Sequence, residues 1–335
     1  RVAAGDRVIN LDKLTYSGNP DNLKDVENNS NYEFVHGDIG DSECVNWILS
    51  EHQPDAVVNF AAESHVDRSI LDPDVFVKTN VLGTEILLRT VKDWWLQLPA
   101  DKKAAFRFHH VSTDEVYGSL HLNDPAFTEE TPYSPNSPYS ASKASSDHFA
   151  RAFHETYRLP VLITNCSNNY GPRQFPEKLI PLMTLNALEG KPLPIYGSGQ
   201  NIRDWLHVED HCEAIYEVLT RANPGQTFNI GGRSERTNLT IVHKICEILD
   251  RIKPRVDGAS YVDQIKYVTD RQGHDFRYSI DISKIECELG WTPKHKFEEG
   301  LEETVKWYLT NTEWVEHVRS GEYQKWIEKN YKERL

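Results

Sequence analysis

Tyr139 and Lys143 stand four residues apart in Tyr139-Ser140-Ala141-Ser142-Lys143. On a helix that spacing puts both on one face, where the ammonium can lower the phenol's pKa toward working pH and can also hold a ribose. Such a pair can take the proton of an alcohol. With 15 tyrosines in the chain, a Tyr-x-x-x-Lys/Arg match is expected roughly once by chance, so its surroundings decide its weight. Upstream lies Ser112-Thr113-Asp114-Glu115-Val116-Tyr117-Gly118. Two adjacent carboxyls in different environments can take opposite protonation states, one an acid and the other a base. An isolated Thr-Asp-Glu is ordinarily a solvated turn or a helix cap; together with Tyr139 and Lys143 it reads as catalytic. A third candidate is Asp12, closing the apolar run Val8-Ile9-Asn10-Leu11-Asp12. An acid at a strand end can bind a ribose diol, and it repels a 2′-phosphate.

The elements that would position these residues alternate. Strand-like runs at Val8–Asp12, Tyr32–Asp38, Asp55–Ala62, Phe106–Ser112 and Val161–Cys166 are separated by helical patterns near 41–52, 74–97 and 137–158. This order predicts an α/β fold with a doubly wound, mostly parallel sheet whose ligand lies beyond the carboxyl ends of its strands. Residues 1–167 form the predicted nucleotide-binding domain. From 168 to 335 the chain becomes punctuated by Pro and Gly, as in Tyr196-Gly197-Ser198-Gly199, and reads mainly as a second, smaller α/β domain. Thr227–Gly232 still resembles a strand, so segments such as 204–232 are expected to return to the first domain.

The bulk composition narrows the function. The chain has 335 residues with 37 Lys+Arg against 51 Asp+Glu, a net charge of −14; a broad basic face for nucleic acid or an anionic membrane is excluded, and an anionic ligand must meet a local basic pocket. Five dispersed cysteines without a C-x-x-C pair argue for a reducing, cytoplasmic setting. No apolar run is long enough to span a bilayer. His207 and His211 share the i, i+4 spacing of metal ligands, but Val208 stands where H-E-x-x-H needs Glu; no metal site is expected. Trp94-Trp95 closes an amphipathic pattern and reads as packing.

The ordered set Asp12, Asp38-Ile39, Phe60-Ala61-Ala62-Glu63-Ser64-His65-Val66-Asp67, Thr113-Asp114-Glu115 and Tyr139-x-x-x-Lys143 resembles the extended short-chain dehydrogenase/reductase family, in particular its dehydratases that act on dTDP-glucose. Asn168 to Leu179, Arg203-Asp204-Trp205-Leu206 and Asp270 to Asp275 extend the resemblance over nearly the whole chain. It implies a Rossmann-type fold and a lyase that oxidises C4 of a nucleotide-bound glucose, eliminates water across C5 and C6, and returns the hydride to C6, with NAD regenerated in each turnover. Tyr139 would take the 4-OH proton, helped by Thr113 and Lys143. Glu115 would remove the C5 proton while protonated Asp114 donates to the departing 6-OH.

The resemblance further implies that NAD meets Asp12, Lys13, Leu14, Thr15, Asp38, Ile39, Ala61, Ala62, Ser64, Thr79, Tyr139, Lys143 and Asn169. The substrate would meet Ser64, Thr113, Asn168, Lys178, Leu179, Pro194, Ile195, Tyr196, Arg203, Asn238, Asp270, Arg271 and His274. A homodimer through helices near 80–97 and 139–157 is implied too, with Trp94-Trp95 as part of the seam. Two departures stand out. Gln272 occupies a position where the family carries Pro. The Gly-rich turn that cradles the pyrophosphate should lie about 20 residues before Asp12, so roughly 20 to 25 residues are expected to precede Arg1. Alternatives left open are a UDP-sugar 4,6-dehydratase, a nucleotide-sugar 4-epimerase, or a non-catalytic nucleotide-sugar binder.

Overall fold

A computed structural model describes residues 1–319; residues 320–335 of the expected second domain lie outside the described residues. The strands are β1 (Val8–Asp12), β2 (Tyr32–His36), β3 (Ala56–Asn59), β4 (Arg107–Thr113), β5 (Val161–Cys166), β6 (Asn168–Tyr170), β7 (Leu193–Tyr196), β8 (Ile202–His207), β9 (Thr227–Ile230), β10 (Glu235–Thr237) and β11 (Ile265–Val268). The helices are α1 (Ser42–His52), α2 (Val66–Leu71), α3 (Pro73–Phe76), α4 (Thr84–Trp95), α5 (Ala100–Ala105), α6 (Pro138–Tyr157), α7 (Leu179–Leu188), α8 (Val208–Arg221), α9 (Asn238–Ile252), α10 (Ser283–Leu289), α11 (Phe297–Thr310) and α12 (Thr312–Arg319).

The fold is α/β and doubly wound. β3, β4, β5 and β9 form a parallel sheet in the order β3-β4-β5-β9, and β1 pairs with β2 in parallel. β-Branched and aromatic residues serve β4 and β5 because both faces are covered. On one face Leu49, Leu87, Leu88 and Val91 of α1 and α4 pack with Phe106, Phe108 and Phe153; on the other Ala214, Ile215 and Val218 of α8 pack with Phe228, Ile230 and Ile285. β9, far along in sequence, lies beside β5. The remaining strands form β10-β8-β6 and β11-β7, over a separate core of Tyr170, Met183, Leu193, Ile195, Ile241, Ile245 and Leu301.

Local chemistry sets the ends of the site-bearing elements. Ser137 caps α6 by accepting from the Ser140 amide, the Ser140 hydroxyl reciprocates toward the Ser137 amide, and Pro138 supplies the fixed φ of the first turn. The 74–97 pattern departs from a simple helix: between α3 and α4 the segment Val77–Gly83 is π-helical. The wider turn lets buried Asn80 reach sideways to the Glu63 amide and carbonyl and to the Ser142 hydroxyl. Three expected strands are shorter, β9 among them, which stops at Ile230. β2 stops at His36, leaving Asp38 in the loop, and β3 stops at Asn59, whose side chain accepts from the Ala61 amide and turns the chain out of the sheet.

Gly232 marks a backbone crossing. A Cβ there would lie 1.8 Å from the Trp205 carbonyl oxygen and 2.6 Å from its carbon. The connection between β9 and β10 cannot move off β8 without breaking the Asp204 contacts to the Gly232 and Ser234 amides. Gly232→Ala is therefore expected to cost roughly 3 kcal/mol, read as a lowered midpoint in urea with an unchanged slope.

Candidate active site

The carboxyl end of β4 delivers the central residues. Thr113 is its last residue, and Asp114 and Glu115 open the 3₁₀ turn Asp114–Tyr117, whose start is capped when the Thr113 hydroxyl accepts from the Glu115 amide at 3.3 Å. α6 packs against β4 and β5 and presents Tyr139 and Lys143, both buried, from successive turns. Tyr139 hydrogen-bonds the Thr113 hydroxyl. Lys143 Nζ donates to the Val111 carbonyl at 2.8 Å.

The two carboxyls occupy different electrostatic surroundings. Burial pushes Asp114 well above the ordinary aspartate range, and the carboxylates of Glu115 and Asp204 push it further. Glu115 is raised by the same burial, but Arg271, Arg203 and Lys178 oppose the rise. Asp114 is therefore the one held protonated, and Glu115 the one that ionises first. Tyr139 departs from the expectation that Lys143 lowers its phenol. Burial and the Glu115 carboxylate hold it well above its ordinary value, while the Lys143 ammonium points its proton at Val111 O and is itself lowered by burial.

A basic wall faces this pair. Arg203, on β8, donates to the Asp275 carbonyl and stacks its guanidinium over the Tyr278 ring at 4.2 Å. Lys178, at the start of α7, donates to the Ser64 carbonyl at 2.8 Å. Arg271 lies 3.9 Å from Asp67, and its Nε has no hydrogen-bond partner. Tyr196 donates to Asp67 at 3.0 Å and packs edge-on against His274, which pairs with Asp270 at 2.7 Å. Asn168 Oδ1 and Asp114 Oδ2 are buried without partners, as polar atoms in a ligand cleft are before the ligand supplies theirs. Asn238 opens α9, its amide bonded to the Asn201 carbonyl.

Of the β7 residues expected at the substrate, Ile195 belongs to the second core with Leu193 and Ile241, while Pro194 alternates to the face that carries Tyr196; Leu179, at the start of α7, packs against the same core. Sequence reasoning also missed Tyr278. Its hydroxyl donates to Asp275 at 2.6 Å and lies 3.5 Å from Glu115, and no motif surrounds it. Asp147 was missed as well. It is buried one helical turn beyond Lys143, accepts from Ser112 and Tyr133, and lies 3.2 Å from His110; its i+4 spacing from Lys143 was the available signal.

Around β1 the other expected residues gather. Asp12 is exposed at the strand end and accepts from the Leu14 amide, with Leu14 in the left-handed region at φ 49°. Lys13 pairs with Asp38 at 2.6 Å, and the Gly40 amide donates to the same carboxylate. Burial alone would raise Asp38, but those two contacts hold it below its ordinary range. Lys13, Asp38, Gly40, Thr79, Leu82 and Gly83 line one cavity, with Ile39 buried against Gly83, so a carboxylate and an ammonium stand beside an apolar wall. Thr15 follows as a turn residue, accepting from the Gly18 amide. Ala61, Ala62 and Ser64 lie on the loop after β3, and Asn169 in β6 is fixed by His211 at 2.8 Å.

Residues 2–304 match the family described as GDP-mannose 4,6 dehydratase. The dTDP-glucose 4,6-dehydratase of Xanthomonas campestris pv. campestris is 60% identical over 96% of this chain and 92% of its own. The dTDP-glucose 4,6-dehydratase 1 of Escherichia coli K12 is 56% identical over 98% and 93%. Among solved structures, the dTDP-glucose 4,6-dehydratase DesIV of Streptomyces venezuelae, with NAD bound, superposes with a TM-score of 0.85 at 48% identity, covering 93% of this chain and 90% of that one. The UDP-glucose 4-epimerase of Thermotoga maritima, with UDP-glucose, gives 0.80 at 28% identity over 93% of each chain. Fold and sequence together assign the chain to the GDP-mannose 4,6 dehydratase family, within the extended short-chain dehydrogenases/reductases.

Proposed function

We propose that the protein is an NAD-dependent lyase converting dTDP-glucose to dTDP-4-keto-6-deoxyglucose and water. The observation that carries this reading is the divided environment of Asp114 and Glu115: Arg203 faces both, but Asp114 has Glu115 and Asp204 beside it, whereas Glu115 has Arg271 and Lys178 as well, against Asp275. An epimerase or simple dehydrogenase needs the Tyr139 hydroxyl but no acid–base pair beside it. Elimination of water needs both.

Asp12, Lys13, Asp38, Thr79 and Asn169 would hold NAD, with Tyr139 and Lys143 at its reactive end. Bound NAD supplies a hydride acceptor, later the donor, and a cationic ring. Tyr139 can take the proton of the sugar 4-OH only as phenolate, so its phenol, raised by burial and by Glu115, would first lose its proton under the positive charge of the nicotinamide ring and Lys143; the phenolate, beside Thr113, then accepts the 4-OH proton as C4 is oxidised. The C4 ketone acidifies C5–H. Glu115 removes that proton while Asp114 gives its own to the departing 6-OH, breaking the C6–O bond and leaving a C5–C6 double bond; hydride then enters at C6 and Glu115 returns a proton to C5. Arg203, Arg271 and Lys178 bring the positive charge that a sugar diphosphate requires in an otherwise acidic protein.

Relatives named for dTDP-glucose support the thymidine nucleotide. Parallel incubations with dTDP-, UDP- and CDP-glucose, resolved by mass spectrometry, test it: loss of 18 mass units from dTDP-glucose in preference to the others is expected, whereas an isobaric C4 epimer from UDP-glucose would overturn the reading. We place the protein in the cytoplasm as a homodimer. No helix among the described residues is long and apolar enough to cross a membrane. Exposed Phe149 and Tyr157 on α6, with Leu96 just past α4, offer an apolar face. Trp94 is not part of it, because its ring is buried edge-on against Phe106, and Trp95 donates inward to the Lys103 carbonyl.

The acid–base pair fixes the pH dependence. Turnover requires ionised Glu115 and protonated Asp114, so kcat is expected to rise through a value above the ordinary glutamate range and to fall at higher pH as Asp114 ionises. Stability follows with its own sign. Both carboxyls bind protons more tightly folded than unfolded, so their contribution is lost as pH rises above the unfolded carboxyl range. Asp114→Asn is accordingly expected to raise Tm at neutral pH while abolishing turnover, checked by paired melting curves at pH 5 and pH 8.

A further inference from the structure

Asp147 stands one turn beyond Lys143 on α6, and both side chains are buried where that helix packs on β4 and β5. One Asp147 oxygen, Oδ2, accepts from the Ser112 hydroxyl at 2.8 Å, the Tyr133 hydroxyl at 3.0 Å and the Asn165 amide at 3.3 Å. The other, Oδ1, is buried without a hydrogen bond, although His110 Nε2 lies 3.2 Å away. Three neutral donors on one oxygen and none on the other satisfy half of a carboxylate's acceptors and leave its charge unmatched.

Hydrogen bonding fixes the state of His110. Asn59 Oδ1 accepts from the Ala61 amide, so the nitrogen of that side chain faces His110 Nδ1 at 3.3 Å, and a side-chain amide nitrogen can only donate. Nδ1 therefore accepts, and Nε2 carries the ring's single proton. That proton goes to Ser146 Oγ at 3.1 Å, whose own hydroxyl donates to the Lys143 carbonyl at 2.8 Å. Burial favours the neutral ring. His110 is thus no counter-ion for Asp147.

Lys143 has the complementary need. Its buried ammonium donates to the neutral Val111 carbonyl. Cys166, facing it from β5, is a neutral thiol pushed up to about 12 by burial. His110 on β4 is neutral, Asp114 beyond Cys166 is the protonated acid, and Tyr139 on its own helix starts as a phenol. Asp147 remains as the negative charge, and its field opposes the loss of the Lys143 proton that burial favours.

We propose that Asp147 is a positioning residue for the oxidation step: its buried carboxylate is the fixed counter-charge that keeps the Lys143 side chain an ammonium beside Tyr139. Ser112 and Asn165 tie the same carboxylate to the end of β4, since Asn165 also donates to the Thr113 carbonyl at 3.1 Å. What the charged lysine then does rests on the lyase reading, in which the Tyr139 phenolate needs a cation beside it. Asp147 acts only through Lys143.

The test reads the lysine directly, by NMR of the full chain with NAD bound and ¹³C at the lysine Cε, Lys143 being assigned from the signal lost in Lys143→Arg. The wild type is expected to hold Lys143 as ammonium at pH 7. Asp147→Asn is expected to lower its titration midpoint by about one pH unit. Tyr133→Phe removes one donor but leaves the charge, so it should lower Tm and hardly move the midpoint. An uncharged Lys143 at pH 7 in the wild type, an unmoved midpoint in Asp147→Asn, or an equal shift in Tyr133→Phe overturns the proposal; the first is read even if Asp147→Asn fails to fold. Function is read as reduced cofactor formed in single turnovers of Glu115→Gln. Adding Asp147→Asn should leave the rate near its parent's on the acid limb of the pH profile and about 10-fold below it on the alkaline limb, where Lys143 has lost its proton. A loss equal at every pH marks a purely structural role and overturns it. The titration needs no substrate, so its failure is distinguishable from failure of the lyase reading.

Discussion

Glu115→Gln mixed with dTDP-glucose and NAD is expected to stop after the first step, with turnover reduced about 10²- to 10⁴-fold and the near-ultraviolet absorbance of reduced nicotinamide rising and persisting on the protein. Tyr139 and Thr113 remain bonded in this variant, so oxidation at C4 proceeds. What is lost is the group that takes the C5 proton. The glutamine amide cannot ionise, although it fills the same buried volume beside Arg203 and Arg271. Stopped-flow absorbance against the wild type checks it. A variant that turns over normally would remove Glu115 as the base and would shift the elimination to Asp114 or to solvent.

The second large effect is at Tyr139. Tyr139→Phe keeps the edge-on contact with Phe76 and the packing of α6, and removes only the hydroxyl bonded to Thr113. Oxidation at C4 is expected to fall about 10²- to 10⁴-fold, with no reduced cofactor formed and dTDP-glucose affinity nearly unchanged. The two variants thus separate the two halves of the reaction. Formation of reduced cofactor at the wild-type rate would take the alcohol proton away from Tyr139 and assign it to Thr113 or to water.

The parts of the site legible in the sequence were those carried by short-range spacing. Tyr139 and Lys143 lie four apart on a helix with a capping box at its start, and Thr113-Asp114-Glu115 directly follows a β-rich run; helical pitch and strand ends fix such residues locally. Strand positions were legible as far as the alternation lasted, through β5, and again at Thr227–Gly232, whereas the order β3-β4-β5-β9 came only with the structure. What was hidden depends on contacts between distant segments. Tyr278 reaches Glu115 across 163 positions, and Arg203 stacks on Tyr278 with no local pattern to announce it. The lowering of the Tyr139 phenol by Lys143 was a fair inference from spacing that burial and Glu115 outweigh, because sequence spacing carries no measure of desolvation. Alternation along β7 turns the Ile195 side chain into the second core and leaves Pro194 and Tyr196 on the other face, a division that the run Leu193–Tyr196 does not announce without its partners.

The internal return of hydride from C4 to C6 of one sugar is the central claim. It is tested by supplying dTDP-glucose deuterated at C4 and locating the label by NMR and mass spectrometry. The account predicts a 4-keto-6-deoxy product carrying that deuterium in its C6 methyl group, with no net reduced cofactor. Deuterium retained at C4 of an epimer, or a 6-deoxy product whose methyl group holds none of it, would contradict the account.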